Sequence, residues 1–403
     1  MNISTDNARI EEILSRSVDT IYPSADILRK KLKSGKQLRI YVGIDPTATY
    51  VHIGHSTNYL ILERLHSLGH KIVVLVGDFT AMIGDPSDKT SMRVQLTNKQ
   101  VQENLKTFKK QIGKILDFDG TENPIEFRFN SEWLAGLTFS DAVELASNFT
   151  VQQMIERDAF QKRMTDNKPL FVHEFFYPLM QGYDSVMLDV DLEIGGTDQT
   201  FNMLAGRTLL KRYKDKEKCV MTTTLLVNPK TNEKLMSKSL GTGVSLDSNA
   251  DEMFGKTMAL PDEGVIQCFI DCTRLPMSEV GLIKSQLNED ANPKDIKLRL
   301  AKEIVTMYHS KQAAENTADA WIKQFSNRET PEDIEDFNVS KDIVTWADLL
   351  VTASLASSKS EARRLIEQGA VKLNGNKVDF ETFDYQVGDI LKVGKRNYIR
   401  LVK

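Results

Sequence analysis

Residues 39–78 hold two apolar runs, Arg39-Ile40-Tyr41-Val42-Gly43-Ile44 and Lys71-Ile72-Val73-Val74-Leu75-Val76, separated by a segment in which Leu60, Ile61, Leu65 and Leu68 recur at helical spacing. Unbroken apolar runs of this length suit strands buried on both faces of a parallel sheet. With the helix between them they make a βαβ unit whose crossover is expected to be right-handed. That unit restricts the chain to an α/β layer fold, in which ligands bind beyond the carboxyl ends of the strands. The first run ends in Asp45-Pro46-Thr47, and the helix is expected to begin near His52-Ile53-Gly54-His55. A helix start in that position aims unpaired backbone N–H groups and the positive end of the dipole into the crevice, which suits phosphate. His52 and His55 share one helix face, and Gly54 between them lets a flat base or a ribose come close to the backbone. A lone His-x-x-His pair is equally consistent with local capping of the helix.

Further polar groups follow at chain positions that lead to the same crevice. The second run continues into Thr80 and Gly84-Asp85-Pro86-Ser87, then Lys89 and Arg93. Tyr177, Gln181 and Asp184 stand at i, i+4 and i+7, so their tips line up on one side of a helix. They are either its wet face or, because Phe175, Phe176, Leu179, Met180 and Val186 surround them, enclosed groups that need a ligand or one another. Leu192-Glu193-Ile194-Gly195-Gly196-Thr197-Asp198-Gln199 reads as a strand, a Gly-Gly turn and a helix start, with Asp198 able to accept from ribose hydroxyls. Lys234-Leu235-Met236-Ser237-Lys238-Ser239 lies in a polar loop.

Taken in order, these stretches resemble the class I aminoacyl-tRNA synthetases. His-Ile-Gly-His is one of the two motifs that define that class, and 234–239 resembles the other, Lys-Met-Ser-Lys-Ser. Tyr41-x-Gly43-x-Asp45-Pro46-Thr47 is similar to the tyrosine-specific branch of bacterial type. The resemblance implies a Rossmann-like nucleotide-binding catalytic domain, an α-helical domain and a small α+β RNA-binding domain. Its implied substrates are tyrosine, ATP and the tRNA for tyrosine, with Mg2+ accompanying ATP and no protein-ligated metal. Tyr41 and Asp184 would hydrogen-bond the substrate phenol. Asp85, Tyr177 and Gln181 would hold the ammonium, with Thr80 beside Asp85 and Gln199 against the carboxylate. Asp45, His55, Gly196 and Asp198 would bind the adenosine half, lined by Gly43 and Gly54. Thr47, His52 and Lys238 would meet the reacting phosphates, and Lys234, Lys89 and Arg93 would close over the departing pyrophosphate. Two departures stand out: Leu235 occupies the place of the second motif's first lysine, with Lys234 one residue earlier, and Glu193 stands where the family often carries Gln.

The 403 residues suffice for two or three domains. The resemblance divides them into a catalytic domain over 1–245, with a connecting insertion at about 115–160 through which the family dimerises, a helical domain over 246–330, a linker over 331–342 and an RNA-binding module over 343–403. Residues 1–36 read as helical, with Ile10, Ile13, Leu14 and Val18 on one face, and 371–378 reads as a hairpin turning at Asn374-Gly375. The chain carries a formal charge of −4, yet residues 353–403 hold ten Lys/Arg against six Asp/Glu. A basic module on an acidic body points to phosphate, with Lys359, Arg363 and Arg364 as the tRNA-facing candidates. No apolar run reaches the roughly 18 residues that span a bilayer. The first twelve residues lack an apolar signal core, and three cysteines make no disulfide framework, so a reducing, cytoplasmic setting is expected. Cys268 and Cys272 lie four apart, without a nearby His or Cys to complete a metal site, and are expected to be buried thiols. Two other readings remain open: a tryptophan-activating relative, and an RNA-binding protein that keeps a synthetase body without catalysis.

Overall fold

The structure, a computed structural model, describes residues 3–87, 96–120, 122–228, 230–231, 234–236, 243–289, 292–323, 334–340, 342–379, 382–394 and 397–402. The chain forms two compact units, Met1–Glu315 and Asn316–Lys403. The first is built on a six-stranded sheet of β1 (Val18–Tyr22), β2 (Arg39–Ile44), β3 (Lys71–Val76), β4 (Glu126–Phe129), β5 (Leu192–Gly196) and β6 (Cys219–Thr223), in the order β1-β6-β5-β2-β3-β4. All neighbours are parallel except β1 and β6. The two apolar runs are β2 and β3, paired in register from Arg39 with Lys71 to Ile44 with Val76, and the Ile53–Ser67 helix connects them. From β2 the chain builds outward through β3 and β4 on one side, then returns to lay β5 and β6 on the other. The order therefore reverses between β2 and β5, and the crevice beyond their carboxyl ends is where ligands bind in such sheets.

The amino-terminal segment differs from its all-helical reading. Helices Asn7–Ser15 and Ala25–Leu32 flank β1, and Val18 opens that strand instead of continuing a helix face. Ser17 has a positive φ of 63°, which a helix cannot absorb, and Ser24 caps the second helix by accepting from Ile27 N. The extended piece anticipated within the insertion is β4, which completes the sheet beside β3. Helices Phe176–Leu188 and Thr200–Lys214 pack against each other. Tyr41, Val73, Trp133, Tyr177 and Met180 form one buried cluster behind the crevice.

Helices follow at Ala250–Met258, Val265–Cys272, Met277–Asn288 and Pro293–Tyr308. The second of these packs on the Ile53–Ser67 helix. Cys268 and Cys272 are both fully buried there, and Cys272 Sγ lies 3.5 Å from the Ile53 carbonyl. Among the described residues no helix is long and apolar enough to cross a membrane.

The second unit packs helices Trp346–Thr352 and Lys359–Glu367 on a five-stranded sheet. Its strands are β7 (Glu335–Asn338), β8 (Val371–Leu373), β9 (Asn376–Lys377), β10 (Ile390–Val393) and β11 (Asn397–Val402). Trp346, Leu349, Leu350, Leu391 and Leu401 fill its core. The hairpin turns at Asn374 and Gly375, both with positive φ (47° and 87°), as the expected two-residue turn requires. Residues 335–338 lie within the anticipated linker but form β7, parallel to β11 and hydrogen-bonded into the sheet.

Candidate active site

The carboxyl end of β2 runs into Asp45, and that of β3 into Gly77 and Thr80. Asp45 is gripped from two directions: the Thr80 hydroxyl donates to Oδ1 at 2.8 Å and the Tyr177 hydroxyl to Oδ2 at 2.9 Å. A Cβ at residue 77 would lie 2.0 Å from Asp45 Oδ1 and 2.3 Å from Thr80 Oγ1, so any larger residue there must push those side chains aside. Gly43, Asp45, Thr80, Gln181, Asp184 and Gln199 line one small hollow over the β2/β5 reversal, together with Asn130 and Glu193.

Asp184 is 3% exposed. The Trp133 indole donates to its Oδ1 at 2.7 Å and the Asn130 amide to its Oδ2 at 3.3 Å. Burial pushes its carboxyl well above the usual range, and those two N–H donors oppose the shift. Asn130 also donates to Thr80 Oγ1 at 3.1 Å, so the groups around Asp45 and Asp184 form one connected network. Tyr41 is fully buried, and its hydroxyl lies 2.9 Å from Ser185 Oγ. Burial raises the Tyr41 phenol well above its ordinary value, and the Glu193 and Asp184 charges add to that.

Asp85 is held by the Ser87 backbone N–H at 2.9 Å, by Gln199 Nε2 at 2.7 Å and by the Arg157 guanidinium at 3.6 Å. Burial lowers Arg157, and Asp85 counters that. The three residues assigned to the ammonium are thus tied to different partners here: Tyr177 to Asp45, Gln181 to Glu193 Oε1 at 3.1 Å, and Asp85 to Arg157, Gln199 and Ser87.

His52 caps the Ile53–Ser67 helix, and its backbone N–H donates to His55 Nδ1 at 3.2 Å. The rings lie against each other, tilted by 32° with centroids 3.7 Å apart, and both residues are half-buried. A Cβ on Gly54 would meet His52 Nδ1 at 3.0 Å, and the Ile53 N–H is held by the Val244 carbonyl at 2.9 Å. The two histidines follow β2 on the same path as Asp45 and Thr47 but are not among the residues lining the hollow. Asp198, next to Gly196, has Lys234 Nζ at 4.0 Å from its carboxylate. Lys89, Arg93 and Lys238 lie outside the described residues. In the second unit Lys359 pairs with Asp348 at 2.6 Å and Arg364 approaches Glu361 at 3.9 Å, while Arg363 is exposed.

Sequence reading passed over Asn130, Trp133, Arg157, Ser185 and Lys218, all of which bond to the expected residues or lie one bond beyond them. Asn130 follows an extended piece and Lys218 precedes an apolar one, which is a faint positional signal. The others carry none that a single chain displays.

The family model described as tRNA synthetases class I (W and Y) matches residues 33–326, and an S4 domain matches 347–391. The chain is 43% identical over 400 residues to a tyrosine–tRNA ligase of Moorella thermoacetica, covering 98% of this chain and 96% of that one. It is 42% identical over 396 residues to tyrosine–tRNA ligase 2 of Clostridium acetobutylicum, covering 97% and 98%. In fold it is similar to a C-terminally truncated mitochondrial tyrosyl-tRNA synthetase of Aspergillus nidulans, with a TM-score of 0.68 and 22% identity over 79% of this chain and 95% of that one. It is also similar to a tyrosyl-tRNA synthetase complexed with L-tyrosine from Archaeoglobus fulgidus, with a TM-score of 0.60 and 21% identity over 78% of this chain and 100% of that one.

Proposed function

The chain belongs to the class I tRNA synthetases of the tryptophan and tyrosine family, and from that premise we propose that its reaction is the ligation of tyrosine to the tRNA for tyrosine. It activates L-tyrosine with ATP: a tyrosine carboxylate oxygen attacks the α-phosphorus and pyrophosphate leaves, and a hydroxyl of the tRNA's terminal adenosine then takes the tyrosyl group from the adenylate, releasing AMP. The substrate brings its own nucleophile, so the protein's contribution is positioning and charge stabilisation.

The observation that carries tyrosine over tryptophan is the buried Asp184 carboxyl in the hollow at the β2/β5 reversal, with Tyr41 close behind it. A para-hydroxyl can donate to Asp184 and accept from Tyr41 at once, whereas an indole N–H can only donate and would leave the Tyr41 hydroxyl without an acceptor. The test is ATP–pyrophosphate exchange with tyrosine, tryptophan and phenylalanine. Tyrosine alone is expected to support exchange; a preference for tryptophan, or no exchange with any of them, would overturn the reading.

In this proposal Tyr41 and Asp184 take the phenol and Asp85, Tyr177 and Gln181 the ammonium, with Thr80 and Gln199 alongside. The ammonium would displace Arg157 as the main cation facing Asp85. Asp45, His55, Gly196 and Asp198 take the adenosine, and Thr47, His52 and Lys238 the phosphates. Lys234, next to Asp198, supplies a cation near the place where the family's first motif lysine stands. We assign Mg2+ to the triphosphate itself, where it neutralises charge. Residues 1–245 would carry catalysis, 246–330 the helical support and the C-terminal module the tRNA contact, through Arg363, Arg364 and Lys359. A cytoplasmic homodimer is part of the same proposal: Phe139, Val143 and Val151, in the connecting segment, are 84%, 53% and 69% exposed and suit burial against a second copy.

A further inference from the structure

At the wall of the hollow and behind it lies a group of buried polar side chains, Glu193, Ser185 and Lys218, that none of the roles above uses. Lys218 and Glu193 form an ion pair with side chains 0% and 2% exposed. Lys218 Nζ is also 2.7 Å from Ser185 Oγ and 5.9 Å from the centre of the Tyr41 ring. Such a pair is a poor source of stability, because desolvating both charges offsets most of their attraction. The packing nonetheless makes room for it: a Cβ on Gly206 would lie 2.5 Å from Lys218 Nζ and 2.7 Å from Ser185 Oγ.

We propose that Ser185, with one lone pair occupied by Lys218, is a positioning residue that fixes the direction of the Tyr41 hydroxyl and so helps separate tyrosine from phenylalanine. This rests on the tyrosine-ligating reading above. The hydrogen inventory supplies the direction. An ammonium only donates, so Ser185 Oγ accepts from Lys218 and has a single hydrogen to give. Its two possible acceptors are Glu193 Oε2 at 3.3 Å and Tyr41 Oη at 2.9 Å. Glu193 also accepts from Lys218 through Oε2 and from Gln181 through Oε1. Because the Tyr41 contact is the shorter of the two, we assign the Ser185 hydrogen to Tyr41. On this assignment Tyr41, accepting there, gives its own hydrogen to the substrate phenol oxygen in preference to the Glu193 carboxylate that also faces it, and the phenol in turn donates to Asp184, which also accepts from Trp133 and Asn130. The result is a chain of one sense, Lys218 to Ser185 to Tyr41 to phenol to Asp184. A site built to bond a hydroxyl rejects the analogue lacking it because its buried groups are left unpaired, a principle for which tyrosine-activating enzymes are themselves the standard illustration.

Lys218→Met would strand the Glu193 charge and disturb the whole site, so the test acts on the link. ATP–pyrophosphate exchange is measured for the full chain, Ser185→Ala, Tyr41→Phe and the double variant, with tyrosine and with phenylalanine. Ser185→Ala is expected to lower kcat/KM for tyrosine by about tenfold, as for loss of one directed hydrogen bond, with phenylalanine and the KM for ATP changed by less than about twofold. In the Tyr41→Phe background the same change is expected to cost nothing further. An unchanged tyrosine-to-phenylalanine ratio, an equal fall for both amino acids, or full additivity with Tyr41→Phe would overturn the inference. Absence of tyrosine-dependent exchange in the unaltered chain would instead refute the parent reading.

Discussion

Asp184 is costly to bury, and the proposed reading gives that burial a purpose. Its carboxyl is enclosed, and the Trp133 and Asn130 donors make that tolerable while leaving acceptor capacity toward the hollow. Asp184→Ala removes the phenol acceptor and orphans both donors. We expect kcat/KM for tyrosine in the exchange assay to fall roughly 100-fold or more, with a stability loss of about 1–3 kcal/mol in denaturant unfolding. Tyrosine-dependent exchange at the unaltered rate would refute the phenol assignment. His70 gives a second residue-level expectation. Its Nδ1 accepts from Leu38 N at 3.2 Å, and burial pulls its pKa from 6.5 down to about 4. Between those values the unfolded chain binds a proton that the folded chain excludes, so stability is present above pH 6.5 and is lost as pH falls toward 4. The contribution is on the order of 2–3 kcal/mol. Compared with His70→Gln, the unaltered chain should lose about that much more between pH 7 and pH 4 in urea titrations.

At the scale of elements, the site is made where strands end. β2 and β3 finish in register, so Asp45 and Gly77 leave the sheet side by side, and Thr80 on the next turn reaches back to Asp45. This close approach makes residue 77 the weak point of the arrangement. Gly77→Ala should break the Thr80–Asp45 bond and displace Asp45, raising the KM for ATP in exchange by more than about tenfold and costing about 1–3 kcal/mol of stability. An unaltered KM would mean that Asp45 lies away from the nucleotide.

For the whole molecule the division of charge matters more than the total. The basic surplus sits in the C-terminal stretch, and the division into two compact units makes the proposed split between amino-acid activation and tRNA capture open to experiment. Of the three candidate cations Lys359 is closely paired with Asp348 at 2.6 Å, whereas Arg364 stands 3.9 Å from Glu361, so Arg363 and Arg364 are the better phosphate partners. Arg363→Ala with Arg364→Ala should raise the KM for tRNA and reduce the salt dependence of binding by about two counterions, while tyrosine-dependent exchange stays as it was. If exchange fell as well, the separation would be wrong.

What could be read along the chain was whatever depends on near neighbours. The β2–helix–β3 unit, the cap at His52, the helix carrying Tyr177, Gln181 and Asp184, and the Asn374-Gly375 hairpin each follow from a run of a few residues whose period or turn chemistry is local. The strand at 18–22, the sheet role of 126–129 and the addition of β7 to the C-terminal sheet were hidden, because a short strand acquires its identity from a partner far away in sequence. The supporting shell was hidden for the same reason. Ser185 meets Tyr41 across 144 positions, and Trp133 meets Asp184 across 51. Local pattern determined which residues could do chemistry, and only the packing of distant segments decided which buried groups hold them in place, since burial and hydrogen-bond direction exist only once those segments have met.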